Sequence, residues 1–296
     1  MKKDFMKKFA VAFLAAFSAA PQLWALSKEV SKERDFVNYC TSSRYSGYDE
    51  IILTKSISLN SDLTIKKNLK IRSKGTGTCT ITVDSARSII INPGSKITLT
   101  NIVFDCKGYT DRLQGLFALN PSSSTDEKDI ARLEMQSGAV IKNVYVTTHG
   151  AAEHAPIYVK KGARFIMNEG ASILDCTNDS YHGHGGAIRC DSGNVVINGG
   201  TISGCRAKGS GGAVYLQGKR IEAEDHLGIA MRGDMVLYGG RIVGNTCGVG
   251  ATAENECYGG GIYLGNSGPV LHITGTAVIS NNFSGSRTGG TKVADD

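Results

Sequence analysis

Pairs of glycines that open short apolar strands recur along the second half of this chain. They stand in Gly185-Gly186-Ala187-Ile188, in Gly211-Gly212-Ala213-Val214 and in Gly260-Gly261-Ile262-Tyr263. Further glycine pairs, Gly199-Gly200 and Gly239-Gly240, break the strands between them. Self-similarity at a spacing of a few tens of residues is typical of repeat architectures. Each unit is only long enough for one turn of a solenoid, and this limits the possible folds more than any other feature.

Each repeat unit divides into three short strands rich in β-branched residues. One unit contains Val195-Val196-Ile197, then Thr201-Ile202-Ser203, then Ala213-Val214-Tyr215-Leu216. Short strands bounded by glycine indicate β-structure rather than helix, and glycine permits the positive φ angles of sharp bends. Three bends close a triangular coil, and successive coils stack about 4.8 Å apart. The sequence therefore predicts an all-β fold, a single-stranded right-handed parallel β-helix of about ten coils.

A column of inward residues can be followed from one unit to the next. The alignment puts these residues at one inward position: Val103, Val144, Ile173, Ile202, Ile242 and Val278. Three residues later it puts small residues that can bond to their equivalents one coil above: Cys106, Thr147, Cys176, Cys205, Asn245 and Asn281. The Gly289-Gly290 pair is predicted to begin a further glycine-led strand.

The two repeated patterns resemble the paired short motifs of the chlamydial polymorphic outer-membrane proteins. Those proteins carry Gly-Gly-Ala followed by Ile, Leu or Val, together with Phe-x-x-Asn. Here the first motif is intact at 185–188 and 211–214, whereas Ile or Val replaces Phe, and Cys replaces Asn in several units. The resemblance covers roughly residues 94–290. More broadly, the chain resembles bacterial surface proteins of the pectin-lyase-like class, which implies a β-helical, autotransporter-like passenger.

Residues 1–25 are predicted to be a secretion signal. A basic stretch with four lysines, the last of them Lys8, precedes an apolar run over 9–20 that is too short to span a bilayer. Cleavage is expected after Ala25. Loss of the four lysines and one aspartate lowers the formal charge from +6 to +3, so the basic pI is no argument for a nucleic-acid partner. The mature chain is expected to lack a transmembrane segment and to be secreted, to the cell surface, the medium or the periplasm.

The two ends of the mature chain raise the question of how the open edges of a solenoid are covered. Residues 26–50 are predicted to be an N-terminal cap or lead-in, with 27–45 either a short amphipathic helix or loop over the first coil, or disordered. The β-helix is predicted over 51–296. The Gly/Ser/Thr-rich tail after Phe283 is too small to cover a coil, which predicts an incomplete passenger that self-associates end to end.

Longer insertions recur at one corner, just before the glycine-led strand. In a solenoid such insertions gather on one face, which is often the binding face. The corner loops 147–156 and 177–185 contain four of the six histidines. They predict a patch of His149, His154, Asp179, His182 and His184, with Glu153 nearby. Imidazole and carboxylate together suit zinc, nickel or copper; the alternative is a set of solvated loop tips. No other cofactor is expected.

The eight cysteines form an even number in a chain with a predicted secretion signal. Cys176 and Cys205 fall in the same column of neighbouring coils, within reach of a disulfide. Cys247 and Cys257 fall in one loop, which a disulfide would close. The alternative in each case is a free thiol that acts as a small core residue.

Four tyrosines of the later coils, Tyr215, Tyr238, Tyr258 and Tyr263, are candidates for binding. Aromatic rings on an elongated surface suit stacking on carbohydrate and contacts with protein, although tyrosine is also common in strands for its β-propensity. Together with the fold, they predict an adhesin-like scaffold that binds glycans or proteins of a host or neighbouring cell through its loop face.

The alternative is an enzyme, a polysaccharide lyase or glycoside hydrolase that acts on an acidic polysaccharide. Gly183-His184-Gly185 resembles the Gly-His-Gly motif of polygalacturonase-like hydrolases, which share the β-helix. The carboxylate motifs of that family are absent from the sequence, and inverting hydrolysis needs two placed carboxylates. No catalytic residue is therefore assigned from the sequence.

Overall fold

The computed structural model describes residues 26–83, 86–108, 115–124, 126–147, 154–181, 183–218, 233–248, 257–266, 268–285 and 292–294. In this part of the chain the backbone forms a right-handed parallel β-helix with four sheets, which confirms the predicted fold class. We number the sheets I to IV in the order in which one coil visits them.

Sheets I and II run along most of the stack, with nine and eight strands. Sheet I consists of Ser27–Val30, Glu50–Leu53, Leu69–Ser73, Lys96–Thr100, Arg132–Met135, Arg164–Met167, Asn194–Ile197, Asp234–Leu237 and Leu271–Ile273. Sheet II consists of Ile57–Ser58, Cys79–Thr82, Ile102–Asp105, Val140–Lys142, Ser172–Leu174, Thr201–Ser203, Arg241–Val243 and Val278–Ser280.

Sheets III and IV are shorter, with six and seven strands. Sheet III consists of Tyr145–Val146, Thr177–Asn178, Arg206–Ala207, Thr246–Cys247, Phe283–Gly285 and Lys292–Ala294. Sheet IV consists of Leu63–Ile65, Ile89–Ile91, Phe117–Leu119, Ile157–Val159, Ile188–Asp191, Val214–Gln217 and Ile262–Leu264.

Sheet III corrects the prediction of three strands per coil. Most of its strands have two residues, as in Arg206–Ala207, and two residues are too few for an alternating pattern to show in the sequence. Among the described strands, neighbouring pairs are parallel except for one. Lys292–Ala294 lies antiparallel to Phe283–Gly285, so the strand predicted to begin a further coil after Gly289-Gly290 turns back instead.

A short helix, α1 (Glu33–Thr41), lies at the N-terminal end and buries Phe36 and Cys40 in the core. The carboxylate of Glu33 accepts a hydrogen bond from the backbone N–H of Asn60 at 2.5 Å, which ties the helix to the first coils. Within 27–45 the structure has this helix, preceded by the strand Ser27–Val30 of sheet I. Among the residues that the structure describes, two 3-10 turns are also present, Ser43–Tyr45 and Glu127–Asp129. The helices within the described residues are too short and too polar to cross a bilayer.

The core is a set of inward columns of aliphatic side chains, and one of them corrects the predicted register. The residues of sheet II that pair in this column are Ile81, Phe104, Ile141, Ile173, Ile202, Ile242 and Ile279. The predicted members Val103, Val144 and Val278 were therefore wrong. Side chains alternate between faces, so a shift of one residue put the outward Val103 and Val278 into the predicted core. Val144 is buried, but it belongs to the neighbouring column.

The corner after sheet II carries a second column that leads from thiols to amides. The register of sheet III gives its members as Val144, Cys176, Cys205, Asn245 and Asn282. Asn282, not the predicted Asn281, continues it, because Asn281 has a φ of +56° and forms the bend. Thr147 lies outside it. The Oδ1 of Asn282 accepts the backbone N–H of Asn245 at 3.0 Å, as the predicted stacking of polar residues requires.

The glycine pairs have a steric explanation. The first glycine of each strand-opening pair has a positive φ, as seen at Gly185 (+73°), Gly211 (+74°) and Gly259 (+68°). The second must lack a side chain, because a Cβ on Gly212 would lie 2.0 Å from the carbonyl oxygen of Gly260 in the next coil. The third pair is therefore Gly259-Gly260, with Gly261 in the place that alanine takes in the two earlier units.

Candidate functional site

Sheet IV carries a row of aromatic and cationic side chains on its outer surface. The register places Tyr158, Arg189, Tyr215 and Tyr263 at one position of four consecutive coils. Their neighbours along each strand point inwards, as Ile157 does, so strand alternation alone brings the four together. We call these four residues the sheet IV row.

The rings of the row stack on one another along the axis of the solenoid. The centroids of Tyr215 and Tyr263 lie 5.5 Å apart with planes inclined by 24°, and the imidazole of His184 lies 4.4 Å from Tyr215 at 17°. Tyr258 continues the stack at 6.0 Å from Tyr263. Both faces of Tyr215 are thus covered, and only 8% of this residue is exposed. A ligand would meet ring edges and hydroxyls here, with open aromatic surface left at Tyr258.

Beside the sheet IV row runs a separate column of residues, each of which stands just before a strand-opening glycine pair. It consists of His184, Ser210 and Tyr258. The backbone N–H of Ser210 donates to Nδ1 of His184 at 2.9 Å, and the N–H of Tyr258 donates to Oγ of Ser210 at 3.0 Å. Because Nδ1 accepts, the neutral imidazole carries its proton on Nε2. A Cβ on Gly209 would lie 2.6 Å from Nδ1, so glycine makes room for the ring.

Arg189 is the buried charge of the site, with 2% of its surface exposed. Its Nε donates to both carboxylate oxygens of Asp191, at 3.0 and 2.9 Å. The guanidinium also lies 5.1 Å from the ring centroid of Tyr215 and 5.9 Å from that of Tyr158. The hydroxyl of Tyr158 donates to Asp191 at 2.5 Å. A carboxylate thus joins an arginine and a tyrosine in a half-buried setting, where charge-assisted bonds are strong.

Lys160 and His154 form one edge of the site, and Lys160 supplies its positive charge. The Nζ of Lys160 lies 3.5 Å from Oδ1 of Asn120 and 5.4 Å from the ring centroid of Tyr158. Burial lowers the pKa of Lys160. Burial, and then the charges of Lys160 and Arg189, lower the pKa of His154. The imidazole of His154 is therefore held in its neutral form, able to accept or donate a hydrogen bond near neutral pH.

Asn178 holds the corner loops of two coils together from within. Its Nδ2 donates to the carbonyl oxygens of His154 at 2.7 Å and His184 at 2.8 Å. Its Oδ1 accepts from the hydroxyl of Ser180 at 2.6 Å. This buried amide links the C-terminal end of the loop 147–156 to the loop 177–185 of the next coil.

The structure describes three of the five predicted metal ligands. Asp179 is bound by the hydroxyl of Tyr145 at 3.3 Å and lies 3.8 Å from Nζ of Lys208, whereas His184 stacks on Tyr215. His154 lies beside Lys160 and Arg189. His149 and His182, like Glu153, lie outside the described residues. Within the described part of the chain, His, Cys, Asp and Glu side chains nowhere converge in groups of three or more. A divalent metal stays a prediction.

The structure brings together three of the four candidate tyrosines, Tyr215, Tyr258 and Tyr263. Tyr238 lies elsewhere, at the end of Asp234–Leu237 in sheet I, and 52% of it is exposed. Sequence reasoning missed Tyr158, Arg189 and Asp191, although each lies one or two coils from Tyr215 in the same strand pattern. It also missed Tyr181, 56% exposed on the loop between sheets III and IV.

The cysteine pairs differ in their surroundings. Cys176 and Cys205 are buried free thiols that stack in neighbouring coils. Burial, followed by the hydrogen bond with Cys205, raises the pKa of Cys176, so its unreactive thiol form prevails. The free thiol of Cys257 donates to the carbonyl of Gly285 at 3.1 Å, so it is not bonded to Cys247 here. Neither candidate disulfide is formed in this structure.

Comparisons with protein-family models, with curated proteins and with solved structures give no match for this chain. The class that the fold defines is that of the right-handed parallel β-helix proteins. The finer resemblance to polymorphic outer-membrane protein repeats rests on the motifs alone.

Proposed function

We propose that this protein is a secreted or surface-attached adhesin-like binding protein that holds glycans or proteins at the corner between sheets III and IV. The observation that carries the proposal is the pair of exposed rings on this corner. Tyr181 is 56% exposed and Tyr258 is 50% exposed, and both lie on connections from sheet III to sheet IV, two coils apart. Exposed aromatic side chains on a rigid frame are typical anchors of binding surfaces.

The frame beneath these rings is rigid for a physical reason. Tyr258 stacks on Tyr263, which stacks on the buried Tyr215, so the anchor ring loses little freedom when a ligand binds. The predicted signal over 1–25 and the motif resemblance support a location outside the cytoplasm, with attachment to the outer surface of a bacterium as the form that the resemblance favours.

The test is binding of the mature chain to a panel of glycans and to intact cells, with variants of single exposed tyrosines. Tyr258→Ala is expected to weaken binding about tenfold, the equivalent of roughly 1.4 kcal/mol. Tyr238→Ala is a matched control, because Tyr238 is equally exposed but lies on sheet I. Equal losses in both variants, or no loss in either, would refute the corner as the binding site.

A second candidate function, cleavage of an acidic polysaccharide, is favoured by one observation. The hydroxyl of Tyr158 lies 2.5 Å from Asp191, next to Arg189 and to a neutral His154. A tyrosine and a neutral histidine can exchange protons with a substrate, while an arginine neutralises a carboxylate. Incubation with polygalacturonate and alginate distinguishes the two functions. Unsaturated uronates or new reducing ends that disappear in Asp191→Asn would establish the enzyme.

A further inference from the structure

Three cations stand in one outward column on sheet I, whereas the sheet IV row lies on a different sheet. The register pairs Lys96 with Arg132 and Arg132 with Arg164, so the three occupy one position of consecutive coils. Neighbouring strands repeat at about 4.8 Å, which sets the spacing of the three side chains along the axis. Asn194 and Asp234 continue the column and end the run of positive charge.

Two carboxylates face these three cations. Glu134 lies in the next outward position of the strand, and its carboxylate forms an ion pair with Nζ of Lys96 at 2.5 Å. It also accepts hydrogen bonds from the side-chain amides of Gln136 and Asn168. Glu127 forms ion pairs with both Arg132 and Arg164. One of its oxygens accepts from Nη1 of Arg132 at 2.9 Å, and the other accepts from Nη1 of Arg164. The column keeps an excess of one positive charge over these two carboxylates.

The hydrogen bonding of the arginine pair is incomplete. The Nε atoms of Arg132 and Arg164 are buried and find no hydrogen-bond partner among the described atoms. A guanidinium binds carboxylate and sulfate best through two parallel N–H groups, and Glu127 engages only one nitrogen of each. The two arginines therefore have donors that their present partner does not use.

The partner of the arginines comes from an exposed turn, not from the sheet. Glu127 belongs to the 3-10 turn Glu127–Asp129, and 61% of its side chain is exposed. The turn is held by a hydrogen bond from the N–H of Lys128 to Asp126 and by one from Ser122 Oγ to the carbonyl of Asp129. A solvated carboxylate on a surface turn can be replaced by another anion at low cost, because exposed ion pairs are weak.

We propose that Arg132 and Arg164, with Lys96 beside them, form a second binding site for an anionic polysaccharide, and that Glu127 occupies this site until the polysaccharide displaces it. The excess of positive charge calls for an anionic ligand, and the coil spacing favours a polysaccharide over an extended peptide. Side chains on one face of an extended peptide recur at about 6.6 Å, which does not match cations about 4.8 Å apart. The ligand's carboxylate or sulfate groups would replace Glu127 at the Nη1 donors of the two arginines. This site is independent of the corner site proposed above.

The proposal is tested on the mature chain by binding to immobilised heparin, which is sulfated, to polygalacturonate, which is carboxylated, and to neutral dextran. Glu127→Gln removes the competing carboxylate and is expected to tighten binding to the preferred polyanion about fivefold. Asp105→Asn is the matched control, because Asp105 pairs with Lys142 on sheet II and its loss changes the net charge equally. The double change Arg132→Gln with Arg164→Gln is expected to abolish polyanion binding.

The outcomes separate the site from general electrostatics and from misfolding. Tighter binding by Glu127→Gln but not by Asp105→Asn supports the site, and the better of the two polyanions identifies the anionic group. Equal effects of both changes, or no binding by any variant at low salt, would overturn it, as would polyglutamate competing better than either polysaccharide. Thermal melting of each variant shows that the comparison is made between folded proteins.

Discussion

The imidazole of His184 lies over the ring of Tyr215 while its Nδ1 accepts the backbone N–H of Ser210, one coil further on. One side chain thus joins two coils by two different interactions. The amide of Ser210 belongs to a buried residue, and a buried donor that loses its acceptor costs about 1–3 kcal/mol.

His184→Phe separates these two interactions. Phenylalanine keeps a ring over Tyr215 but leaves the N–H of Ser210 without an acceptor, so the free energy of unfolding is expected to fall by about 1–3 kcal/mol. Urea denaturation measures the change. A variant as stable as the parent would mean that stacking alone holds this corner.

Gly212→Ala is expected to be among the most damaging single-methyl additions. The new Cβ would meet the backbone carbonyl of Gly260 at 2.0 Å, and an overpacked backbone contact costs about 3 kcal/mol or more. The control is Gly244→Ala, where the Cβ meets nothing within 4 Å and only the φ of +68° is unfavourable, at about 1 kcal/mol. Melting temperatures of the two variants give the comparison, and equal losses would contradict the explanation of the glycine pairs.

Asn282→Ala tests the amide column. Its side chain accepts from the N–H and Nδ2 of Asn245 and donates to the carbonyl of Ile242 at 2.9 Å, all in the buried corner. Loss of these bonds is expected to cost about 2–4 kcal/mol. Asn281→Ala affects the bend instead, with an expected cost of about 1 kcal/mol for alanine at positive φ. If Asn281→Ala proved the more harmful change, the column would pass through the residue that the sequence suggested.

Glu134 makes part of the stability dependent on pH. Burial raises the pKa of Glu134, but hydrogen bonds from Lys96 and Gln136, the charge of Lys96 and a bond from Asn168 outweigh it, so the pKa lies below the ordinary 4.5. Its contribution is fully present above pH 4.5 and is lost as the pH falls through the lower, folded-state pKa. Urea denaturation at pH 7, 4.5 and 3 should show Glu134→Gln least stable relative to the parent at pH 7. If the difference in the free energy of unfolding between the parent and Glu134→Gln stayed constant down to pH 3, Glu134 would not be the source of this pH dependence.

The fold could be predicted from the sequence because the residues that mark its bends and strands act locally. A glycine at a bend, such as Gly211, and a β-branched core residue, such as Ile202, can each be recognised within a few neighbours. Register could not be predicted in the same way. The step from Phe104 to Ile141 spans a different number of residues from the step between Ile173 and Ile202, so counting along the chain selected neighbours on the wrong face.

The site was only partly predictable for the same reason. Tyr258 and Tyr263 are close in sequence and were correctly grouped, but Tyr158 and Arg189 reach Tyr215 only through the pairing of separate strands. Asp191 looks like an ordinary solvated position, although it lies two residues from Arg189 on the same face of one strand; only the register brings Tyr158 of the preceding coil to this pair. Tyr238 is a tyrosine like the other three candidates, but it follows a strand of sheet I and lies apart from them.

The amide column also gives the assembly of the stack a direction. The backbone N–H of Cys205 is satisfied by Asn245 of the following coil, and that of Asn245 by Asn282 of the coil after it. These two corners are therefore completed from their C-terminal side. We expect hydrogen exchange during refolding to show the amide of Cys205 protected only once the coil of Asn245 has formed. Until the following coil has formed, each of these two corners leaves a backbone N–H without its acceptor, so growth of the stack in the C-terminal direction is favoured there.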